Sequence, residues 1–277
     1  MNVAPNARPA ALSRLALLAA LAACACAPRV PPPDLSLEPE PLLAQVRAAQ
    51  AAVRSVRGEA RLSVKSEAGS GRAPELVAAE RPGRLRIETL DFFGNPVSVL
   101  ATLDGRFALW DGREKVFYRG EATPENLARL VPLPLAAEDL VAILCGTAPI
   151  PAGARAVSAE PGRGYVTLVL ELEGGRRQVL RVGAGAVVER SDLQGPGGYR
   201  LRFEQLGTQG DAARFPSRVA LASDAPAVSL ELTWREVEVN AVQDPAFFRI
   251  DPPRGARVVE LGNAPPPAPF DRGAPGP

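Results

Sequence analysis

The chain of 277 residues contains no histidine at all, one methionine, three cysteines, two tryptophans and three tyrosines. Without histidine the commonest general base, the commonest metal ligand and every His-dependent triad are missing. No G-x-S-x-G, P-loop or C-x-x-C motif compensates, so hydrolytic, zinc and nucleotide chemistry are disfavoured, and no catalytic residue, metal ligand or cofactor is assigned. An excess of charge is missing too: 32 Lys and Arg stand against 31 Asp and Glu. That balance leaves no electrostatic footprint for nucleic acid and no net basic face for anionic lipid. Carboxylate pairs such as Glu171 and Glu173 fall on the polar positions of a predicted strand, where solvated charge accounts for them.

What is present begins with a leader. Arg8 and Arg14 precede an apolar stretch from Leu15 to Ala23, the order of an export signal and too short to span a bilayer. The stretch closes with Leu21-Ala22-Ala23-Cys24, which resembles the lipobox of bacterial lipoproteins. The resemblance implies a signal peptide over 1–23, cleavage before Cys24, and acyl chains, palmitate among them, on that cysteine. Two or more chains anchor stably where one does not. Position two after the cut is Ala25 rather than Asp, which points to the periplasmic face of the outer membrane. Prolines crowd residues 24–40 and again 263–277, and these are read as an extended tether and a disordered tail. Residues 41–262 are left as one domain, expected to be a monomer with a real hydrophobic core.

Within that domain, Leu42, Val46, Ala49, Val53 and Val56 recur at helical spacing and predict an amphipathic helix from Pro41 to Val56, stopped by Gly58. From there the period changes to two. Strands are expected at 59–66, 75–81, 84–88, 97–103, 107–110, 116–119, 165–173, 177–182, 187–193, 199–204, 217–222 and 228–239, with turn signals such as Pro82-Gly83, Asp104-Gly105 and Gly174-Gly175 between them. Two short helices interrupt the meander. Thr123-Pro124 reads as an N-cap followed by a first-turn proline, with that helix running to about Val131; Pro132 and Pro134 break it; residues 138–144 form the next, stopped by Gly146. The fold class is therefore mainly β, a curved antiparallel half-open barrel with three helices as lid. A sheet this long must curl, and its apolar face exceeds what three short helices cover, so an interior cavity competes with a side-chain-filled interior as the outcome. Cys145, at the end of an apolar helix, reads as a small buried hydrophobe, and a disulfide to Cys26 stays open.

Four segments carry a family resemblance: Arg81-Pro82-Gly83-Arg84-Leu85-Arg86-Ile87, Phe92-Phe93-Gly94-Asn95-Pro96, Val131-Pro132-Leu133-Pro134-Leu135 and Leu140-Val141-Ala142-Ile143-Leu144-Cys145-Gly146. In order and spacing they resemble the LolB family of outer-membrane lipoprotein receptors. The resemblance implies a half-open barrel of about eleven strands, shared with the soluble carrier LolA, that holds lipoprotein acyl chains in an apolar cavity and inserts them into the outer membrane. It also implies a LolA-like periplasmic carrier as partner. The family's loop after the third strand presents an apolar tip, and Phe92, Phe93 and Gly94 occupy that place here. Asp91 and Asn95 flank the two rings and favour exposure. Alternation selects Leu85, Ile87, Val97, Val99, Val166, Leu168, Leu170, Leu201, Phe203, Leu230 and Leu232 as the cavity lining. The chain departs from the family in carrying Phe in place of Leu at the tip and in its Pro-rich leader and tail. An alternative is a lipid-binding envelope sensor or assembly subunit that uses the same fold without transfer.

Overall fold

A computed structural model of the chain describes residues 30–262 except 33, 68, 129–134, 210–211 and 242. Cys24 and Cys26, the second half of the predicted 123–131 helix, and the breakers Pro132 and Pro134 lie outside the described residues.

One sheet organises the domain. Its fourteen strands are β1 (Ser55–Ser66), β2 (Gly69–Glu80), β3 (Arg84–Leu90), β4 (Pro96–Leu103), β5 (Arg106–Asp111), β6 (Val116–Glu121), β7 (Arg155–Pro161), β8 (Val166–Glu171), β9 (Arg177–Gly183), β10 (Val187–Gln194), β11 (Tyr199–Gln209), β12 (Ala212–Asp224), β13 (Ala227–Val239) and β14 (Arg257–Leu261). Their spatial order is β14-β6-β5-β4-β3-β2-β1-β13-β12-β11-β10-β9-β8-β7. Every neighbouring pair is antiparallel except β14, which returns parallel to β6. The half-open barrel of the sequence reading is thus a curved sheet with two edges, and it exceeds the twelve strands read from the sequence because β7 and β14 extend it at either end.

Among the described residues three α-helices accompany it: α1 (Pro39–Ala51), α2 (Pro124–Leu127) and α3 (Ala137–Leu144). The first ends at Ala51, not at Val56. Val53 and Val56 continue the helical spacing by coincidence, and β1 takes over at Ser55, where its backbone finds strand partners on both sides. Gly58 is accordingly no helix stop. It lies inside β1, where a Cβ would overlap the carbonyl oxygen of Glu236 across the strand pair. Thr123 does cap α2, its side chain accepting from the Asn126 N–H at 3.2 Å. Gly146 does end α3: at φ 71° its N–H donates to the Ile143 carbonyl at 3.0 Å and the Thr147 N–H to the Ala142 carbonyl at 3.0 Å, the paired bonds that close a helix with a left-handed residue.

The tether also needs correction. From Val30 onward the chain lies on the domain: Leu35 is buried in the core, the Gly164 N–H donates to the Val30 carbonyl at 3.0 Å, and the Gly185 N–H donates to an Asp34 carboxylate oxygen at 2.6 Å. Proline favours extended chain, and extended chain can still pack along a surface. Helix α1 then closes the β7 edge. Glu40 accepts from the Ala156 N–H at 2.9 Å, occupying a donor that an edge strand otherwise leaves free.

The concave face holds two apolar clusters. One joins α1 to β8, β9 and β11 through Leu42, Val46, Leu168, Leu170, Leu180 and Leu201. The other joins α3 to β1, β2, β3 and β13 through Val141, Cys145, Ala60, Val77, Leu85 and Trp234. Leu140 packs against both, so α3 is the wedge between the two halves of the sheet.

Candidate functional site

The β3–β4 loop is built by one side chain. Asp91 accepts from the backbone N–H of Phe93 and of Asn95, both at 2.8 Å, the Asp91 N–H donates to the Asn95 carbonyl at 2.9 Å, and Gly94 turns the chain at φ 84°. These bonds, the one from Asn95 foremost, hold the Asp91 carboxyl below its ordinary pKa. With the backbone so occupied the two rings project outward: Phe92 is 96% and Phe93 84% exposed, edge to face at 5.6 Å. A pair of rings in water is the unusual observation, not an exposed apolar residue as such. The Gly112 N–H donates to the Val97 carbonyl at 2.9 Å, which brings the β5–β6 turn, with exposed Arg113 and Lys115, beside the same loop.

The residues selected as cavity lining divide into three groups. Val166, Leu168, Leu170, Leu201 and Phe203 belong to one concave cluster, with Leu230 packed on it; Leu85 and Leu232 belong to the other, with Ile87 packed on it. Val97 and Val99 do not join them. Register places Leu100, not Val99, opposite inward Ile87, so Val97 and Val99 point to the convex face. Strand β4 is apolar on both faces, and a shift in pairing between Thr89 and Leu90 removes the parity that alternation relies on. The inward residues form packed core in this conformation. Leu85, Val166, Leu168, Leu170 and Leu201 are wholly buried, and the space between the ends of α1 and α3, bounded by Val53, Cys145, Val188 and Phe215, is only about 50 Å³. Burial pushes the Cys145 thiol up to about 11, an inert thiol rather than a nucleophile.

Sequence reasoning passed over the polar residues of the concave face. Cross-strand register aligns Glu75, Thr89, Ser98 and Asp111 in one row on β2 to β5, on the side of the sheet nearest the Phe92–Phe93 loop. Glu75 is 3% exposed and, among the described residues, receives only the Thr89 hydroxyl, at 3.0 and 3.2 Å to its two oxygens. Burial therefore pushes its carboxyl up to about 7. Two strands away Trp234 is also buried, with no acceptor for its indole N–H among the described residues. The available signal was a charge at the inward position of Glu75-Val77-Ala79. Glu171 is exposed and ion-paired with Arg155, while Glu173 sits in the turn after β8 and not in the strand.

An open, almost wholly antiparallel sheet curled about helices, with an apolar concave face, is of the LolA/LolB-like fold class, and comparison with known proteins agrees. No family model and no curated protein matches the chain. Among solved structures it resembles a domain named for outer-membrane lipoprotein sorting from Vibrio parahaemolyticus, at a TM-score of 0.55 and 12% identity over 75% of this chain and 94% of that one. It is similarly close to a LolA superfamily protein from Nitrosomonas europaea, at 0.53 and 9% over 76% and 98%, and to a DUF1329 family protein from Desulfovibrio piger, at 0.51 and 12% over 76% and 97%.

Proposed function

We propose that the protein is a LolB-like receptor. Anchored by lipid on Cys24 at the periplasmic face of the outer membrane, it takes the acyl chains of lipoproteins from a LolA-like carrier onto its concave face. It releases them to the membrane through the Phe92–Phe93 loop, by binding and transfer rather than catalysis. The observation that carries the reading is the exposed aromatic pair on a fold of this kind. Each ring is worth about 1.5–3 kcal/mol when moved out of water, and Arg113 and Lys115 beside them suit lipid phosphates.

Acyl chains bring about 0.8 kcal/mol per buried methylene, enough to drive exchange without a cofactor. In the present conformation α3 covers the concave face with Val141, Ile143 and Leu144. Cargo entry on this reading exchanges that apolar cover for another, with α3 displaced.

The packed interior also favours a second reading, in which the fold serves as a lipid-binding sensor or envelope assembly subunit. Transfer of a radiolabelled lipoprotein from a LolA-type carrier to the soluble domain, residues 34–263, separates the two. Acceptance by wild type and by Phe93→Glu, with onward delivery to liposomes lost only in the variant, is the result expected of a receptor. No acceptance by either protein would overturn it in favour of the second reading.

A further inference from the structure

A groove of about 270 Å³ with mainly apolar walls crosses β1, β2 and β3 on the convex face, away from the two core clusters. Alternation points Arg57 and Glu59 of β1, Leu76 and Ala78 of β2, and Arg86 and Glu88 of β3 outward there. Register sets them in two rows, Glu59-Leu76-Glu88 and Arg57-Ala78-Arg86. Phe247, in the turn Pro245–Phe248, closes one end, with the guanidinium groups of Arg57 and Arg86 over its ring. Leu76 is 37% and Phe247 36% exposed, so the groove is open to water while its floor and end wall are apolar. Its charges are unevenly served. Arg86 pairs with Glu88 at 2.6 Å, whereas Arg57 and Glu59, both exposed and two residues apart on one strand, have no ion-pair partner among the described residues.

The Pro-rich segment 263–277, outside the described residues, carries the complementary chemistry. Its one aromatic residue is Phe270, followed directly by Asp271 and Arg272, whose charges are opposite to those of Arg57 and Glu59. Four prolines between 265 and 269 favour extended chain that rises about 3.1 Å per residue and loses little entropy on docking beside an aromatic ring. The reach is sufficient. Strand β14 ends at Leu261, and register carries that level through Gly120, Phe107 and Thr102 to Leu85 on β3 and Ala79 on β2, next to the groove. Five strand spacings separate β14 from β2, about 24 Å along the sheet, and the residues from Leu261 to Phe270 span about 28 Å at the rise of extended proline chain.

We propose that this groove is the docking site of the chain's own segment 263–277. The Phe270 ring packs on Leu76 beside Phe247, Asp271 pairs with Arg57, and Arg272 pairs with Glu59. Docking there leaves the concave face and the Phe92–Phe93 loop untouched, so it stands apart from the receptor reading.

The test compares, by backbone amide NMR, the chain from Ala25 to Pro277, which retains every described residue, as wild type and as Phe270→Ala. Phe270 lies outside the described fold, so its replacement does not threaten folding. The signals of Arg57, Leu76 and Phe247 are expected to differ between the two proteins, and a peptide of residues 262–277 added to the Phe270→Ala chain should move them to their wild-type positions. The same peptide carrying Phe270→Ala should bind about tenfold more weakly, a loss of about 1.4 kcal/mol. A peptide carrying Asp271→Lys should bind about threefold more weakly and regain that factor on a chain carrying Arg57→Glu, a rescue that lost packing alone does not give. Identical signals in wild type and Phe270→Ala overturn the inference. So does a wild-type pattern that relaxes toward that of the variant on dilution, which assigns the groove to the segment of a second copy. Lipoprotein acceptance by the Phe270→Ala chain is expected to equal that of wild type, so the failure of either reading is seen separately.

Discussion

Two adjacent phenylalanine pairs behave in opposite ways. Phe92–Phe93 and Phe247–Phe248 each stack edge to face, at 5.6 and 5.9 Å, and each follows an aspartate that accepts a nearby backbone N–H, Asp91 from Phe93 and Asp244 from Ala246. Yet the first pair stands in water while Phe248 is 1% exposed. The difference lies in what each loop is laid against. The Phe247–Phe248 turn rests on β3 and β4, on the convex face that carries Val99 and Ala101, and β14 then ties the chain to β6. The β3–β4 loop overhangs the end of its own hairpin. Neighbouring rings alone do not decide burial; the surface the loop is laid against does.

The largest effect expected from this contrast is on stability. Phe248→Ala empties a filled site and should cost about 3–5 kcal/mol in urea unfolding, whereas Phe92→Ala and Phe93→Ala should each fall within about 0.5 kcal/mol of wild type. A comparable loss at Phe93 would mean that the exposed pair is packed in solution.

The carboxyls beside the loop sharpen the same comparison. Asp91 is exposed and held below its ordinary range, while Glu75 is buried and raised from 4.5 to about 7. A raised carboxyl pKa means that the folded state holds the proton more tightly than the unfolded one. The contribution is present in full below about pH 4.5 and is lost as pH rises through about 7. Fully ionised, Glu75 should cost roughly 3 kcal/mol. Glu75→Gln should therefore match wild type at pH 4 and exceed it by that amount at pH 9 in denaturant titrations; equal pH profiles for the two proteins would place Glu75 in water.

Smaller again is the effect on membranes. Removing both exposed rings, as Phe92→Ser with Phe93→Ser, should weaken liposome binding of the soluble domain about tenfold, about 1.4 kcal/mol, below the full-burial value of about 1.5–3 kcal/mol per ring because rings among headgroups leave water only in part. Phe247→Ser should leave it unchanged, as read by vesicle co-sedimentation. Equal losses in both variants would place the membrane contact elsewhere.

Much of this contrast was legible in the sequence, and its limits are physical. Asp91, Gly94 and Asn95 around two phenylalanines announce a loop whose backbone is satisfied internally, and Leu201-Phe203 alternates cleanly with Arg200, Arg202 and Glu204 because only one face of that strand is apolar. Where both faces are apolar, as in Val97-Val99-Leu100, alternation has no phase to read. Strand β7 went unread because Ala156, Ser158 and Ala159 are small and give little contrast. The five residues of β14 are set apart from the meander by the prolines at 252 and 253, and they pair with a strand far upstream.

The smallest effect concerns what holds the Phe247–Phe248 turn down. The guanidinium groups of Arg57 and Arg86 lie 5.2 and 4.9 Å from the centre of the Phe247 ring, and Arg86 also donates to the Phe247 carbonyl at 3.0 Å. Both arginines point outward from strands whose inner faces are core, so neither is needed for the sheet itself. Each cation–ring contact at a half-exposed site is worth about 0.5–1 kcal/mol, and Arg57→Met retains most of the aliphatic packing while removing the charge. The variant should lose about that much stability, and the loss should vanish in a Phe247→Leu background, as a double-mutant cycle reports. A loss of the same size with leucine at 247 would assign the contribution to other contacts of the Arg57 charge, leaving Phe248 and the Arg86 bond to the Phe247 carbonyl to anchor the turn.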